Sequence, residues 1–131
     1  MKIALKLTLA ALGGAAVAAT GVGLVRAETA PTPVAYVVAN LQEIKDAATY
    51  GKYRAAVGGT EALYGGHAIV VAKPEALDQS TPPKGTIVIL AFPSLQKLHE
   101  WWNSPEYSAI RPLREKSTVG QNYAVEGLAQ P

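Results

Sequence analysis

The chain has 131 residues, 49% of them hydrophobic and 17% charged, and contains no cysteine. Domains usually run to roughly 100–150 residues, so this length holds one domain beside a leader, and the apolar content excludes a disordered chain. Without cysteine there are no disulfides, zinc–thiolate sites, iron–sulfur clusters or thiol catalysis, although the redox compartment stays unread.

Lys2 and Lys6 are followed by an uncharged stretch from Leu7 to Val25 rich in Ala, Gly, Leu and Val. This pattern predicts a signal peptide over residues 1–27, with cleavage after Ala27 and delivery to the periplasm or the exterior. The alternative is an uncleaved membrane anchor, because the stretch is nearly long enough to cross a bilayer. Losing Lys2, Lys6 and Arg26 leaves nine basic residues against ten acidic ones, a formal charge of −1 where the whole chain has +2. No basic stripe remains for phosphates, which sets nucleic-acid binding aside.

Residues 28–33, with Pro31 and Pro33, read as a linker, and residues 34–128 as the folded domain. Val34 to Leu41 is a near-continuous apolar run and predicts an interior first strand. Asp46 is placed to cap a helix carrying Tyr50, Tyr53 and Val57 on one side, with a bend expected at Gly58-Gly59 and a stop at Gly65-Gly66. His67 to Ala72 is the second strand, Lys73 to Lys84 a loop, and Thr86 to Phe92 the third strand. Ser94 caps a helix whose packing face is expected to hold Leu95, Leu98, His99 and Trp102, leaving Trp101 for a dimer rim or a pocket mouth. Ser104-Pro105 starts a further helical segment that puts Tyr107, Ile110, Arg111 and Arg114 on one face and is expected to end or kink near Arg111, ahead of Pro112. After Gly120, Gln121 to Glu126 alternates as a last strand.

The order βαββαβ predicts an α+β fold, the ferredoxin-like plait: a four-stranded antiparallel sheet with helices on one face and the other face bare. The first and third strands are too apolar to show one side to water. Two copies are therefore expected to pack sheet against sheet as a homodimer, a dimeric α/β barrel.

Tyr36 to Leu128 resembles the bacterial family called domain of unknown function 1330, within the dimeric α/β-barrel, ferredoxin-like superfamily. The resemblance rests on Asp46 with Tyr50 and Tyr53, Tyr64-Gly65-Gly66, Phe92-Pro93-Ser94, Ser104-Pro105-Glu106-Tyr107 with Arg111, and Val125-Glu126-Gly127. It implies this fold and a dimer, and it brings no established activity. Relatives often carry Arg after the Gly-Gly pair and an acid before Phe-Pro, where this chain has His67 and Ala91. Related barrels use the cleft between sheet and helices for monooxygenase, isomerase and cyclase reactions.

His67 begins a strand beside two glycines and is the candidate proton carrier, against the reading that it only bonds a loop carbonyl. Arg111 is the candidate anion holder, against pairing with Glu106 or Glu115. Tyr50, Tyr53, Trp102 and Tyr107 are the candidate ligand-binding walls, against ordinary core packing. Two histidines without paired spacing make a poor metal site, so no metal is expected. Related barrels that bind haem would single out His67, but nothing else in the chain points to haem, and no cofactor is expected. The function these features predict is an exported homodimer binding a small oxygenated or aromatic molecule in that cleft, with cofactor-independent monooxygenase- or isomerase-type chemistry. The alternative is a non-catalytic binding or stress-associated dimer with a vestigial pocket.

Overall fold

The structure is a computed structural model that describes residues 30–129. The expected signal peptide and its cleavage point lie outside the described residues. Seven elements follow one another: β1 (Ala35–Ile44), α1 (Ala47–Ala62), β2 (His67–Ala72), β3 (Thr86–Phe92), α2 (Leu95–Trp102), α3 (Pro105–Ser117) and β4 (Thr118–Glu126). The strands form one antiparallel sheet in the order β2-β3-β1-β4. This is the ferredoxin-like plait expected from the order of elements. Among the described residues, no helix is long and apolar enough to cross a membrane.

Pairing across the strands sorts the sheet residues into two faces. Ala35 lies opposite Phe92, Val37 opposite Leu90 and Ala124, and Ala39 opposite Val88. This face packs under the helices, where Ala35, Val37, Leu90 and Phe92 join Tyr53, Leu98, Trp101 and Tyr107 in one buried cluster. The intervening residues form the second face, which carries no helix among the described residues. Tyr36, Val38, Val70, Ile87 and Ile89 are half-buried there, while Tyr123 and Val125 are 53% and 45% exposed. That face is apolar and open.

Local chemistry explains most element ends. The Asp46 carboxylate accepts from the Thr49 amide at 3.1 Å and caps α1, Ser94 accepts from the Lys97 amide to cap α2, and Ser104 accepts from the Tyr107 amide to cap α3. Gly65 takes φ 77° after α1, in the left-handed region where a side chain is strained. Gly66 follows in close contact with the Phe92 ring.

Four expectations are corrected. Helix α1 runs unbroken through Gly58-Gly59, because Tyr53, Thr60 and Glu61 are buried on either side of the pair and packing outweighs the cost of roughly 1 kcal/mol per glycine. Helix α3 continues past Pro112, since Pro112 and Ser108 are exposed and water can reach the carbonyl that loses its donor. Strand β4 starts at Thr118, directly from α3 and without a connecting loop. Trp101 is neither rim nor mouth: it is 1% exposed, and its indole Nε1 donates to Thr60 Oγ1 at 3.0 Å. On α2, Leu98 and Trp101 are buried, Leu95 and Trp102 pack half-buried against the same core as expected, and His99 is exposed.

The two kinds of glycine respond oppositely to a methyl group. A Cβ at Gly66 would lie 2.3 Å from a ring atom of the buried Phe92, whereas a Cβ at Gly59 would meet nothing within 4 Å. Urea unfolding is expected to show Gly66→Ala destabilised by about 2 kcal/mol from overpacking. Gly59→Ala is expected to be stabilised by up to about 1 kcal/mol. Equal stability of the two variants would contradict the packing described.

Candidate functional site

A cavity of about 230 Å³ opens between the sheet and the helices. Its floor is the helix-facing side of the sheet, with Val37, Ala39, Val88 and Leu90. Along α1, the residues at Tyr50, Tyr53, Arg54, Val57, Gly58 and Glu61 recur at helical spacing and all border the cavity. Trp101 borders it from α2, and Tyr107 and Arg114, two turns apart, from α3.

An aromatic series crosses this layer. Phe92 and Trp101 have ring centroids 5.2 Å apart, Trp101 and Tyr107 4.0 Å, Tyr107 and Tyr53 6.4 Å, and Tyr53 and Tyr50 5.9 Å. The Tyr53 and Tyr107 hydroxyls lie 3.2 Å from each other, and Arg114 Nε donates to the Tyr107 hydroxyl at 3.2 Å. Burial, first, and then the neighbouring Tyr107 push the Tyr53 pKa well above the usual phenol range, so Tyr53 stays protonated and able to donate.

Glu61 is the unusual member. It is 4% exposed, and burial alone pushes its carboxyl up to about 7 from the ordinary 4.5. No hydrogen bond or cation contributes to that shift. An unpaired carboxyl that titrates near neutrality on a cavity wall is suited to take up and release protons.

Of the residues singled out from the sequence, Tyr50, Tyr53 and Tyr107 meet at this cavity and three others do not border it. His67 pairs with Ala91, which pairs with Tyr36, and this places it on the open face of the sheet, on the other side from the cavity. Trp102 borders a smaller recess of about 120 Å³ with Val37, Leu98, His99 and β4 residues. Arg111 lies over the rings of Trp102 and Tyr107, at 4.8 and 5.2 Å, and donates to the Trp102 carbonyl. Its Nε is buried without a partner. Arg111 therefore clamps the end of α2 to α3. Glu61, Arg54, Arg114 and Gly58 were the members the sequence reading passed over. The available signal was position: Glu61 lies eleven residues after Tyr50 and eight after Tyr53 on the same helix, and Arg114 seven after Tyr107. Among the described residues, no group of three His, Asp or Glu side chains is placed to hold a metal ion.

Solved structures with the same architecture support the fold assignment. A protein of unknown function from Rhodopseudomonas palustris aligns with a TM-score of 0.57 at 18% identity, over 80% of this chain and 89% of that one. A hypothetical protein from Arabidopsis thaliana aligns at 0.51 and 15% identity, over 80% and 96%. A protein from Caulobacter crescentus, provisionally named an antibiotic biosynthesis monooxygenase, aligns at 0.50 and 12% identity, over 76% and 93%. At such identities the likeness defines the class, a ferredoxin-like α+β domain of the kind seen in these neighbours. Residues 34–128 match the family described as Domain of unknown function (DUF1330), and the chain belongs to that family. No curated protein is a significant match.

The raised Glu61 carboxyl has a consequence for stability. The folded chain holds this proton up to about pH 7 and the unfolded chain releases it near 4.5. Glu61 is therefore most favourable to folding below about pH 4.5, and that contribution is lost as pH rises through about 7. Each pH unit between the two titration points corresponds to about 1.4 kcal/mol, and water in the cavity reduces the sum to about 2 kcal/mol. Unfolding of the native chain and Glu61→Gln, compared from pH 4.5 to 8, is expected to show the variant gaining by that amount at the alkaline end. Parallel curves would mean that Glu61 is not desolvated.

Proposed function

We propose that the domain binds a small oxygenated organic molecule in the cavity and moves a proton on it, with Glu61 as base and acid. The observation that carries this reading is the buried, unpaired Glu61 carboxyl with a pKa of about 7 on the cavity wall. A group poised at the working pH is present in both forms and transfers protons in both directions.

The chemistry that suits the site begins with a C–H bond next to a carbonyl. The Glu61 carboxylate takes the proton, and the electron pair of the C–H bond moves to the carbonyl oxygen as an enolate. Tyr53 and Tyr107 supply the hydroxyls for that oxygen, with Arg114 holding Tyr107. Return of the proton from Glu61 to another carbon of the conjugated system completes an isomerisation with no outside oxidant. The same carbanion is the starting point of cofactor-independent oxygenation, and monooxygenase is the provisional name of the Caulobacter neighbour. The reading of a vestigial pocket filled by its own aromatics has less support, because about 230 Å³ stays open beside those rings.

The proposal extends to assembly and place. The apolar open face, with Val38, Ile87, Ile89 and Val70 at its centre, supports pairing of two copies sheet to sheet. The leader pattern supports action outside the cytoplasm as a chain beginning at Glu28.

The chemical part is tested by solvent deuterium incorporation into a panel of β-keto and α,β-unsaturated carbonyl compounds, followed by NMR. The native chain is expected to accelerate exchange in at least one member with a midpoint near pH 7, Glu61→Gln to lose about 100-fold or more, and Tyr53→Phe to lose less. Exchange that Glu61→Gln leaves unchanged would refute the assignment. For the assembly, native mass spectrometry of the exported protein is expected to give a dimer of chains starting at Glu28, and Ile89→Lys a monomer. A native monomer at micromolar concentration would end the pairing proposal.

A further inference from the structure

Arg54 on α1 and Arg114 on α3 both border the cavity. Neither is ion-paired to a carboxylate among the described residues, where the salt bridge found is Lys97–Glu100. Both guanidiniums act on the Tyr50 hydroxyl, and each opposes the effect of its burial. Tyr53, one turn on, is raised chiefly by burial and by Tyr107, with Arg114 lowering it and Glu61 raising it further. The cavity is therefore polarised along α1. Arg54, one turn after Tyr50, and Arg114, bonded to the Tyr107 hydroxyl beside Tyr53, lie toward the Tyr50 end, and Glu61, a carboxyl that is neutral through mildly acid pH, lies two turns beyond Arg54.

Between them stands Gly58. It borders the cavity on the same side of α1 as Arg54 and Glu61, and a Cβ there would meet nothing within 4 Å. The missing side chain widens the cavity at its middle. Arg54 and Glu61 are seven residues apart, about 10 Å of helix rise. Allowing each side chain a hydrogen bond's reach inward leaves space for roughly one six-membered ring.

Resting on the proton-transfer reading above, we propose that the ligand is a small organic monoanion about one ring long: a carboxylate held between Arg54 and Arg114, with an aromatic or unsaturated body lying over Gly58 and its far end toward Glu61. Tyr50 and Tyr53, whose rings lie near parallel at 24°, supply the wall for that body. A carboxylate meeting guanidinium gains charge-assisted paired hydrogen bonds that an amide of the same shape lacks. The separation of about 10 Å keeps the ligand's charge away from Glu61. Gly58 is then a specificity-determining position, because it sets how much body the cavity admits.

The test uses phenylacetate, phenylacetamide and phenethylamine as probes, titrated by NMR or calorimetry into the native chain and four variants. Phenylacetate is expected to bind at least 10-fold more tightly than phenylacetamide, and phenethylamine more weakly than either. Arg54→Gln and Arg114→Gln should each erase most of that preference. Gly58→Leu should abolish binding of all three probes, whereas Gly59→Leu, one position on and outside the cavity, should leave it unchanged. Far-UV circular dichroism and urea unfolding verify that Gly58→Leu is folded. Arg54→Gln, at an exposed side chain, reaches the same decision without altering the packing. Equal binding of acid and amide, both lost in Gly58→Leu, overturns the anion assignment and leaves the proton-transfer site standing. Phenylacetate binding that survives Gly58→Leu overturns both. No binding of any probe at 10 mM overturns the assigned size and charge.

Discussion

The arrangement of the molecule depends on a wedge of aromatic rings between one layer of helices and the sheet. Phe92, Trp101 and Tyr107 are almost completely buried, and their centroids follow one another at 5.2 and 4.0 Å. Such pairs add about 0.5–1.5 kcal/mol each beyond the area they bury. They also set a distance. Where these rings stand, the helices and sheet are fully joined. Farther along, the facing residues are small, with Ala39, Ala68 and Gly120 on the sheet and Gly58 on α1, and the same spacing leaves a void. The cavity is thus a product of large rings at one end and small residues at the other.

Glu61 is buried by this geometry. It follows Val57 by one turn on the face of α1 that must meet the sheet, next to Thr60, which is committed to the Trp101 indole. Moving the carboxyl to solvent would rotate α1 and break the Tyr53–Tyr107 contact and the indole bond together. A buried carboxylate without a partner costs free energy, and the molecule tolerates it by letting the group hold its proton to about pH 7. An arrangement optimised for stability alone would have Gln or Leu there. The local conflict between packing and charge is the type of rule-breaking that gathers at functional sites.

What could be read in the sequence was what short-range chemistry decides. Asp46, Ser94 and Ser104 cap helices through their own side chains, Gly65 supplies the left-handed turn, and Pro105 sits where a missing amide costs nothing. What could not be read depends on packing partners far off in the chain. Gly58-Gly59 and Pro112 weaken a helix locally, yet α1 and α3 run through them because their buried sides are anchored elsewhere. Trp101 is hard to place from sequence because α2 is short and both tryptophans pack: Trp101 is fully buried and Trp102 lies half-buried against the same cluster. Tyr50, Tyr53 and Tyr107 were legible as walls from helical spacing. Glu61 was not, since a charged residue near the end of a helix ordinarily faces water. The placement of His67 turns on sheet register: a bulge between Ala68 and Val70 breaks simple alternation, so that His67 and Val70 share the open face.

The two sides of the sheet are coupled through the same strands. Val37 and Leu90 form the cavity floor, and the adjacent Val38 and Ile89 project from the opposite face. Strands apolar on both sides are the pattern of a sheet meant to be covered twice. Among the described residues nothing covers the other face, so Val37 and Leu90 are held from the helix side by the buried cluster and have no packing behind the sheet. The sheet-to-sheet pairing proposed above would press each floor from behind with the partner's valines and isoleucines. A site that must keep a proton donor, a base and a ligand within hydrogen-bond reach needs such backing, because small displacements of supporting groups weaken catalysis steeply. Assembly and chemistry would then be two consequences of one unusually apolar pair of central strands.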